Sequence, residues 1–174
     1  MSRYFWLALT ATLPTLVLST NDTTCQALNA QLPGLVTFPG TSVYSTALAT
    51  YYSGQERDIR PQCIFMPTTV DEVSRFVKII APRKGQDAKF AIRGGGHTLW
   101  KGAANIEGGV TVDMRLMNQT VLSQDGKMAG LGPGGRFHDV YHQLSPHNLT
   151  VMGGRVPSIG VGGFLSSGKS YQCP

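Results

Sequence analysis

The stretch "AKFAIRGGGHT", residues 88–98, decides how the rest of this chain is read. It reads as a short strand running straight into a glycine loop. Three successive glycines, Gly94, Gly95 and Gly96, can turn their N–H groups inward as an anion-binding nest, because no Cβ obstructs the close approach. A dinucleotide fingerprint of the GxGxxG kind needs a third glycine or alanine and a helix opening behind it. Gly94 and Gly96 are followed by Leu99 at the third position, and "TLWKGAANIEGG" (98–109) reads as loop. Any phosphate bound here is therefore expected on a loop without a helix dipole.

Upstream, residues 23–54 read as short helices separated by the Pro33-Gly34 and Pro39-Gly40 turns. "CIFMP" (63–67) is a brief apolar strand. Thr69 with Glu72 forms a capping box, with Asp71 and Glu72 in the first turn. Val70, Val73, Val77 and Ile80 then recur at helical spacing until residues 82–85 end the helix. Downstream, "GVTVDM" (109–114) is an alternating strand, and "VLSQDGKMAGLG" (121–132) is a hairpin about Asp125-Gly126, a pair suited to a type I′ turn. Phe137, Val140, Tyr141 and Leu144 make the apolar face of a further helix stopped before Pro146. "LTVMGG" (149–154) is expected as a last short strand. The order β-α-β-β, then β-β-α-β, predicts an α+β domain in two halves.

The chain has 174 residues, 41% of them hydrophobic, enough to bury a core, and a formal charge of +5. Its 15 Lys and Arg are scattered, with Arg83-Lys84 the only adjacent pair, so no basic stripe marks a nucleic-acid partner. Residues 1–19 read as a signal peptide: Arg3 supplies the positive start, an apolar stretch interrupted by Pro14 follows, and Val17 and Ser19 are small residues before a cleavage point. That stretch is shorter than the about 20 apolar residues a stable membrane span needs. Sequons at Asn21, Asn118 and Asn148 agree with glycosylation on a secretory route, ending outside the cell or in an internal compartment. Three cysteines fit an oxidising lumen. Cys25 and Cys63 can pair, leaving Cys173 odd; closing that loop stabilises by roughly 4 kcal/mol in the chain-entropy model.

Two motifs are misleading. Gly163, Gly168, Lys169 and Ser170 satisfy GxxxxGK[ST], but only Tyr171–Pro174 follow, too few residues to build the helix whose N-terminus would face phosphates. "HDVYH" (138–142) resembles the HExxH zinc motif, yet Asp139 stands where the longer glutamate acts as base and no third ligand has recognisable spacing. It reads as a polar helix flank, and no metal is expected.

Four segments come in a telling order: "RGGGH" (93–97), "GGVTVDMRLMN" (108–118), "GPGGRFHDVYHQL" (132–144) and "TVMGGRVPSIGVGGFL" (150–165). Together they resemble the flavin domain of the FAD-linked oxidases of the vanillyl-alcohol oxidase and p-cresol methylhydroxylase group. Within it they are most similar to berberine-bridge-enzyme-like oxidoreductases, particularly secreted fungal ones of secondary metabolism. The resemblance runs from near Cys25 to about Leu165. It implies a PCMH-type FAD-binding domain over residues 59–174, incomplete at its end, behind a helical lead-in at 20–58. It also implies that Arg93, Gly94, Gly95, Gly96, His97 and Thr98 wrap the FAD pyrophosphate through backbone N–H groups. His97 would be joined to the 8α-methyl of the flavin. Gly154, Ser158, Gly160, Gly162 and Gly163 would line the other side, and Arg155 would either neutralise a phosphate or pack at the surface. Some members attach the flavin again through a cysteine where this chain has Val156, so the linkage is expected to be monocovalent. Cys25 and Cys63 stand where these proteins place a structural disulfide.

In such enzymes a small-molecule substrate gives a hydride to flavin N5, a base takes a proton, and dioxygen commonly reoxidises the flavin. Relatives continue past "VGGFL" into a substrate domain, whereas this chain reads "SSGKSYQCP", so no residue here is assigned the base role. Gly168-Lys169-Ser170 can be encoded across an intron donor sequence, GTAAGT, so a retained intron, or a gene model that missed one, would account for the final residues. The alternatives to a truncated oxidoreductase are a non-catalytic flavin-binding or regulatory partner of a full-length oxidase, and an inactive product.

Overall fold

The computed structural model describes residues 23–167. The apolar leader, the Asn21 sequon and the GKS segment with Cys173 lie outside the described residues.

Hydroxyl caps set the first helices. Helix α1 (Thr24–Gln31) opens on Thr23, whose hydroxyl accepts from the Gln26 N–H while the Gln26 side chain accepts from the Thr23 N–H. Helix α2 (Ser42–Ala49) opens on Thr41 and the single turn α3 (Gly54–Arg57) on Ser53. Between α1 and α2 the chain forms a two-residue strand, β1 (Val36–Thr37), which helical reading of the lead-in passed over. Strands β2 (Cys63–Phe65), β3 (Phe90–Arg93) and β4 (Val110–Asp113) complete a sheet of order β1-β2-β4-β3. β2 and β3 both run parallel to β4, and β1 is antiparallel to β2.

Helix α4 (Val70–Ile80) carries the expected capping box: Glu72 accepts from the N–H groups of Thr68 and Thr69, at 2.7 and 3.1 Å. These bonds hold its carboxyl below the usual range, the Thr68 N–H contributing most. Its buried face differs from the expected one. Phe76, Ile79 and Ile80 are buried, while Val70 and Val77 are exposed. Phe76 stacks on Phe65 at 5.3 Å, and that aromatic contact sets the face; Val77 lies about 100° further round the helix.

The sheet is covered on both sides. Cys25, Leu28, Phe65, Phe76, Ile79, Val110 and Val112 form the core under α1 and α4. Tyr44, Ala47, Leu48, Tyr51 and Ile64 form the core on the other face. β4 does alternate apolar and polar residues, but all four are buried rather than every second one. Its polar face is covered too: the Thr111 hydroxyl donates to Asn105 Oδ1 at 2.7 Å, and Asp113 meets Arg93 and Arg115. Cys25 and Cys63 are bridged, S–S 2.07 Å, tying α1 to β2.

The second half begins with an antiparallel hairpin of β5 (Thr120–Leu122) and β6 (Ala129–Leu131). Its turn is not type I′, which requires positive φ at both central residues. Gly126 has φ +69° but Asp125 does not, and the Gly126 N–H closes onto the Ser123 carbonyl at 3.0 Å. Helix α5 (Phe137–Leu144) buries Phe137, Val140 and Leu144 as expected, then continues through Pro146 in one 3₁₀ turn. Residues 149–154 form no strand. Gly153 and Gly154 pack against the Phe137 ring instead of pairing, and the chain goes on into helix α6 (Val161–Ser166), which turns Val161 and Phe164 onto α5.

Candidate functional site

β3 delivers the glycine loop, and Arg93 anchors it from below. Arg93 is fully buried: its guanidinium donates to the Ala47 carbonyl at 2.7 Å and the Thr50 hydroxyl at 2.9 Å, lies 3.4 Å from Asp113, and sits 3.6 Å over the Tyr51 ring. Burial pulls its pKa down to about 10 despite the opposing pull of Asp113, and burial likewise pushes the Tyr51 hydroxyl up. The Arg93 side chain thus belongs to the core and fixes the strand end from which the loop departs. Above it, Gly96 takes φ +70°, where an added Cβ would sit 2.8 Å from the Arg93 Nε.

Beyond Arg93 the loop meets the second glycine segment backbone to backbone. A Cβ on Gly95 would stand 2.5 Å from Gly160 Cα, and one on Gly160 would overlap the Gly95 nitrogen. The Arg136 guanidinium donates to the Gly95 carbonyl at 3.3 Å, and Tyr52 N–H donates to the Gly96 carbonyl at 3.0 Å. The carbonyls of Gly95 and Gly96 are thereby occupied. Among the described residues, the N–H groups of Gly95, Gly96, His97 and Thr98 donate to no protein acceptor, although Gly95 and Gly96 are buried. Buried N–H groups without acceptors are costly, so this row is built to receive one.

The residues of this row line a cavity of about 650 Å³ between the two glycine segments, within the range of cofactor sites. Gly94–Thr98 line one side. Gly154, Arg155, Val156, Gly160 and Gly163 line the other, with Ile159 and Phe164 as apolar wall. At Gly163 a Cβ would meet no protein atom within 4 Å, so a side chain there would take up open space. A row of N–H donors for anionic oxygens beside apolar wall for a flat ring fits FAD.

Three of the expected residues do not line the cavity itself. Arg93 faces the core. Gly162 packs on the Pro133 carbonyl, 2.6 Å from where its Cβ would be. Ser158 hydrogen-bonds the His97 Nε2 at 2.9 Å. His97 itself is half-buried on the cavity wall and stacked on Tyr52, ring centroids 4.1 Å apart and 15° from parallel. Sequence reasoning missed Tyr52; it follows another tyrosine at a helix end, and no local pattern joins it to residue 97. It also missed Ile159 and Phe164, which a glycine-rich reading of 153–163 overlooks. His138 and His142 lie exposed on α5 with ring centroids 6.4 Å apart, and no cluster of three or more metal-ligating side chains occurs among the described residues.

The family model described as FAD binding domain matches residues 61–173. The chain is 38% identical over 146 residues to the FAD-dependent monooxygenase sdcF of Emericella nidulans, covering 84% of this chain and 30% of that protein. It is 35% identical over 155 residues to the FAD-dependent monooxygenase CTB5 of Cercospora beticola, covering 86% and 29%. Among solved structures, a variant of BBE-like 1 from Physcomitrella patens superposes with a TM-score of 0.68 at 31% identity, over 81% of this chain and 30% of that one. The xylooligosaccharide oxidase of Myceliophthora thermophila shares the fold, with a TM-score of 0.67 at 24% identity over 81% of this chain and 29% of that one. The chain thus spans about 30% of the length of the curated relatives it matches.

Proposed function

This chain belongs to the FAD binding domain family, and from that premise we propose that it is the flavin-holding portion of an FAD-dependent oxidoreductase of secondary metabolism, acting on a small-molecule substrate. The observation that carries the reading is the row of acceptorless N–H groups at Gly95–Thr98, on residues that line one cavity together with the second glycine segment. Bound there, FAD would supply two-electron acceptance from a substrate C–H bond.

The chain's own residues do the rest. Gly95 and Gly96 donate from buried positions, where a hydrogen bond to a charged oxygen is worth more than in water. Ile159 and Phe164 keep water from one wall of the cavity, and Arg155, exposed on that wall, adds positive charge near the anionic groups. His97 presents an imidazole to the cavity and is the attachment point to the 8α-methyl. Val156 lines the cavity where a second, cysteinyl attachment would stand, so the linkage is monocovalent. The reading includes a secretory route, which the Cys25–Cys63 bridge and the exposed sequons at Asn118 and Asn148 support. Loss of mass on endoglycosidase treatment of the secreted protein tests that route.

The experiment for the main reading titrates the full chain with FAD, follows quenching of flavin fluorescence, then runs the protein on a denaturing gel. Saturable quenching and a fluorescent band that disappears in His97→Ala are expected. Unquenched FAD at every protein concentration would refute FAD binding; saturable quenching with a dark band would refute the covalent bond alone.

A further inference from the structure

We propose that Tyr52 and Ser158 are positioning residues that hold the His97 imidazole for bond formation, an inference that rests on the attachment proposed above. Two segments far apart in the sequence grip this one ring. Ser158 engages Nε2 at 2.9 Å from the second glycine segment. Tyr52 covers one ring face from the end of the α2 region, 4.1 Å away and nearly parallel. Neither contact follows from core packing: Tyr52 is 58% exposed, and Ser158 belongs to no apolar cluster.

Both supports are fastened to the loop that carries His97. The Tyr52 N–H donates to the Gly96 carbonyl, so its ring moves with the loop. Ser158 lies two residues before Gly160, which touches Gly95. The imidazole is therefore fixed relative to the row of N–H donors, and the entropy of its two side-chain torsions is lost before the cofactor arrives. A ring nitrogen's role follows from the bond its partner nitrogen makes. With Nε2 engaged by the hydroxyl and one face under the phenol, Nδ1 and the opposite face are left for a carbon in the cavity.

A bond forms between Nδ1 and the 8α-carbon of oxidised FAD; one C–H bond of the methyl and the imidazole N–H bond break. The two electrons released reduce the isoalloxazine, which takes up both protons. Dioxygen then reoxidises it, leaving as hydrogen peroxide.

The test follows fluorescent-band formation with time in the full chain at saturating FAD, for wild type, Ser158→Ala, Ser158→Thr, Tyr52→Leu and Tyr52→Phe, and identifies the linked nitrogen by NMR of the flavin peptide. Ser158→Ala is expected to slow attachment roughly fivefold, the worth of one hydrogen bond in a barrier, and to give a mixture of linked nitrogens. Tyr52→Leu is expected to slow it about threefold through loss of the aromatic stack. Ser158→Thr and Tyr52→Phe, which keep the hydroxyl and the ring, restore the rate; a merely structural role would not alter which nitrogen is linked. Wild-type rates and a single linkage in Ser158→Ala and Tyr52→Leu overturn this inference alone. A wild-type chain that holds FAD without bonding it, or a His97→Ala chain that still bonds it, overturns the attachment and this inference with it.

Discussion

Exchanging Gly95 and Gly163 for alanine separates the two things the glycine segments do. At Gly95 the added Cβ would lie 2.5 Å from Gly160 Cα and 2.6 Å from Gly160 N, against an ordinary contact of about 3.5–4.0 Å between carbon atoms. The obstacle is backbone, so no side-chain rotation relieves it, and the segments must part by about 1 Å. Overpacking of this kind costs about 2 kcal/mol, which lowers the melting temperature of a domain of this size by roughly 6 °C. The parting also widens the cavity at the N–H row, so FAD affinity falls with stability. At Gly163 the new Cβ meets nothing within 4 Å, and the residue lies inside α6, where Gly→Ala stabilises by about 0.5–1 kcal/mol. That methyl enters the cavity, so Gly163→Ala is expected to melt at or above wild type while binding FAD more weakly. Thermal melts by circular dichroism and FAD titration of the same samples give both numbers. Undiminished FAD affinity in Gly163→Ala would refute the placement of the cofactor, and an unchanged melt in Gly95→Ala would refute the tight approach of the two segments.

Three further outcomes are expected. Arg93→Ala strips a buried cation from Asp113, Thr50 and the Ala47 carbonyl and should cost about 3–5 kcal/mol, read as loss of the cooperative urea transition. Cys25→Ser should destabilise by roughly 3–4 kcal/mol, and mild reduction of the wild type should lower its melting temperature equally. Glu72→Gln should cost about 1 kcal/mol at neutral pH through the weakened capping box. Since the folded state lowers the Glu72 pKa, that carboxylate's contribution is full above its ordinary value of 4.5 and is lost as pH falls through the lower folded value. Wild type and variant should therefore converge in stability in acid, and a gap that persists there would count against the cap.

Much of the fold was legible because local chemistry and tertiary packing agree. Thr69 and Glu72 cap α4 by contacts within one turn, and Phe137, Val140 and Leu144 bury one face of α5 at helical spacing. Legibility failed where a distant partner decides. The helical repeat of Val70 and Val77 was real as a pattern, but Phe65, on another element, chose Phe76 and its face. Residues 149–154 have strand composition and no strand to pair with, since the Phe137 ring occupies the space beside Gly153 and Gly154. Asp125-Gly126 marked the hairpin correctly, while its turn type depended on the Ser123–Gly126 hydrogen bond.

The site divides along the same line. The glycine loop and the second glycine segment could each be recognised from composition, because glycine is what close backbone approach demands. Their meeting at Gly95 and Gly160 could not, and it explains why both segments are needed at once. One glycine strip alone would leave its partner's N–H groups open to solvent and its apolar wall uncovered. Joined, they turn the loop carbonyls toward Tyr52 and Arg136 and leave the N–H groups as the donors still unused. The same junction carries Ser158 to His97, so the contact that shapes the anion site also orients the imidazole beside it. A substitution that parts Gly95 from Gly160 should therefore impair the holding of FAD and the bonding of FAD together, whereas Gly163→Ala should weaken only the holding.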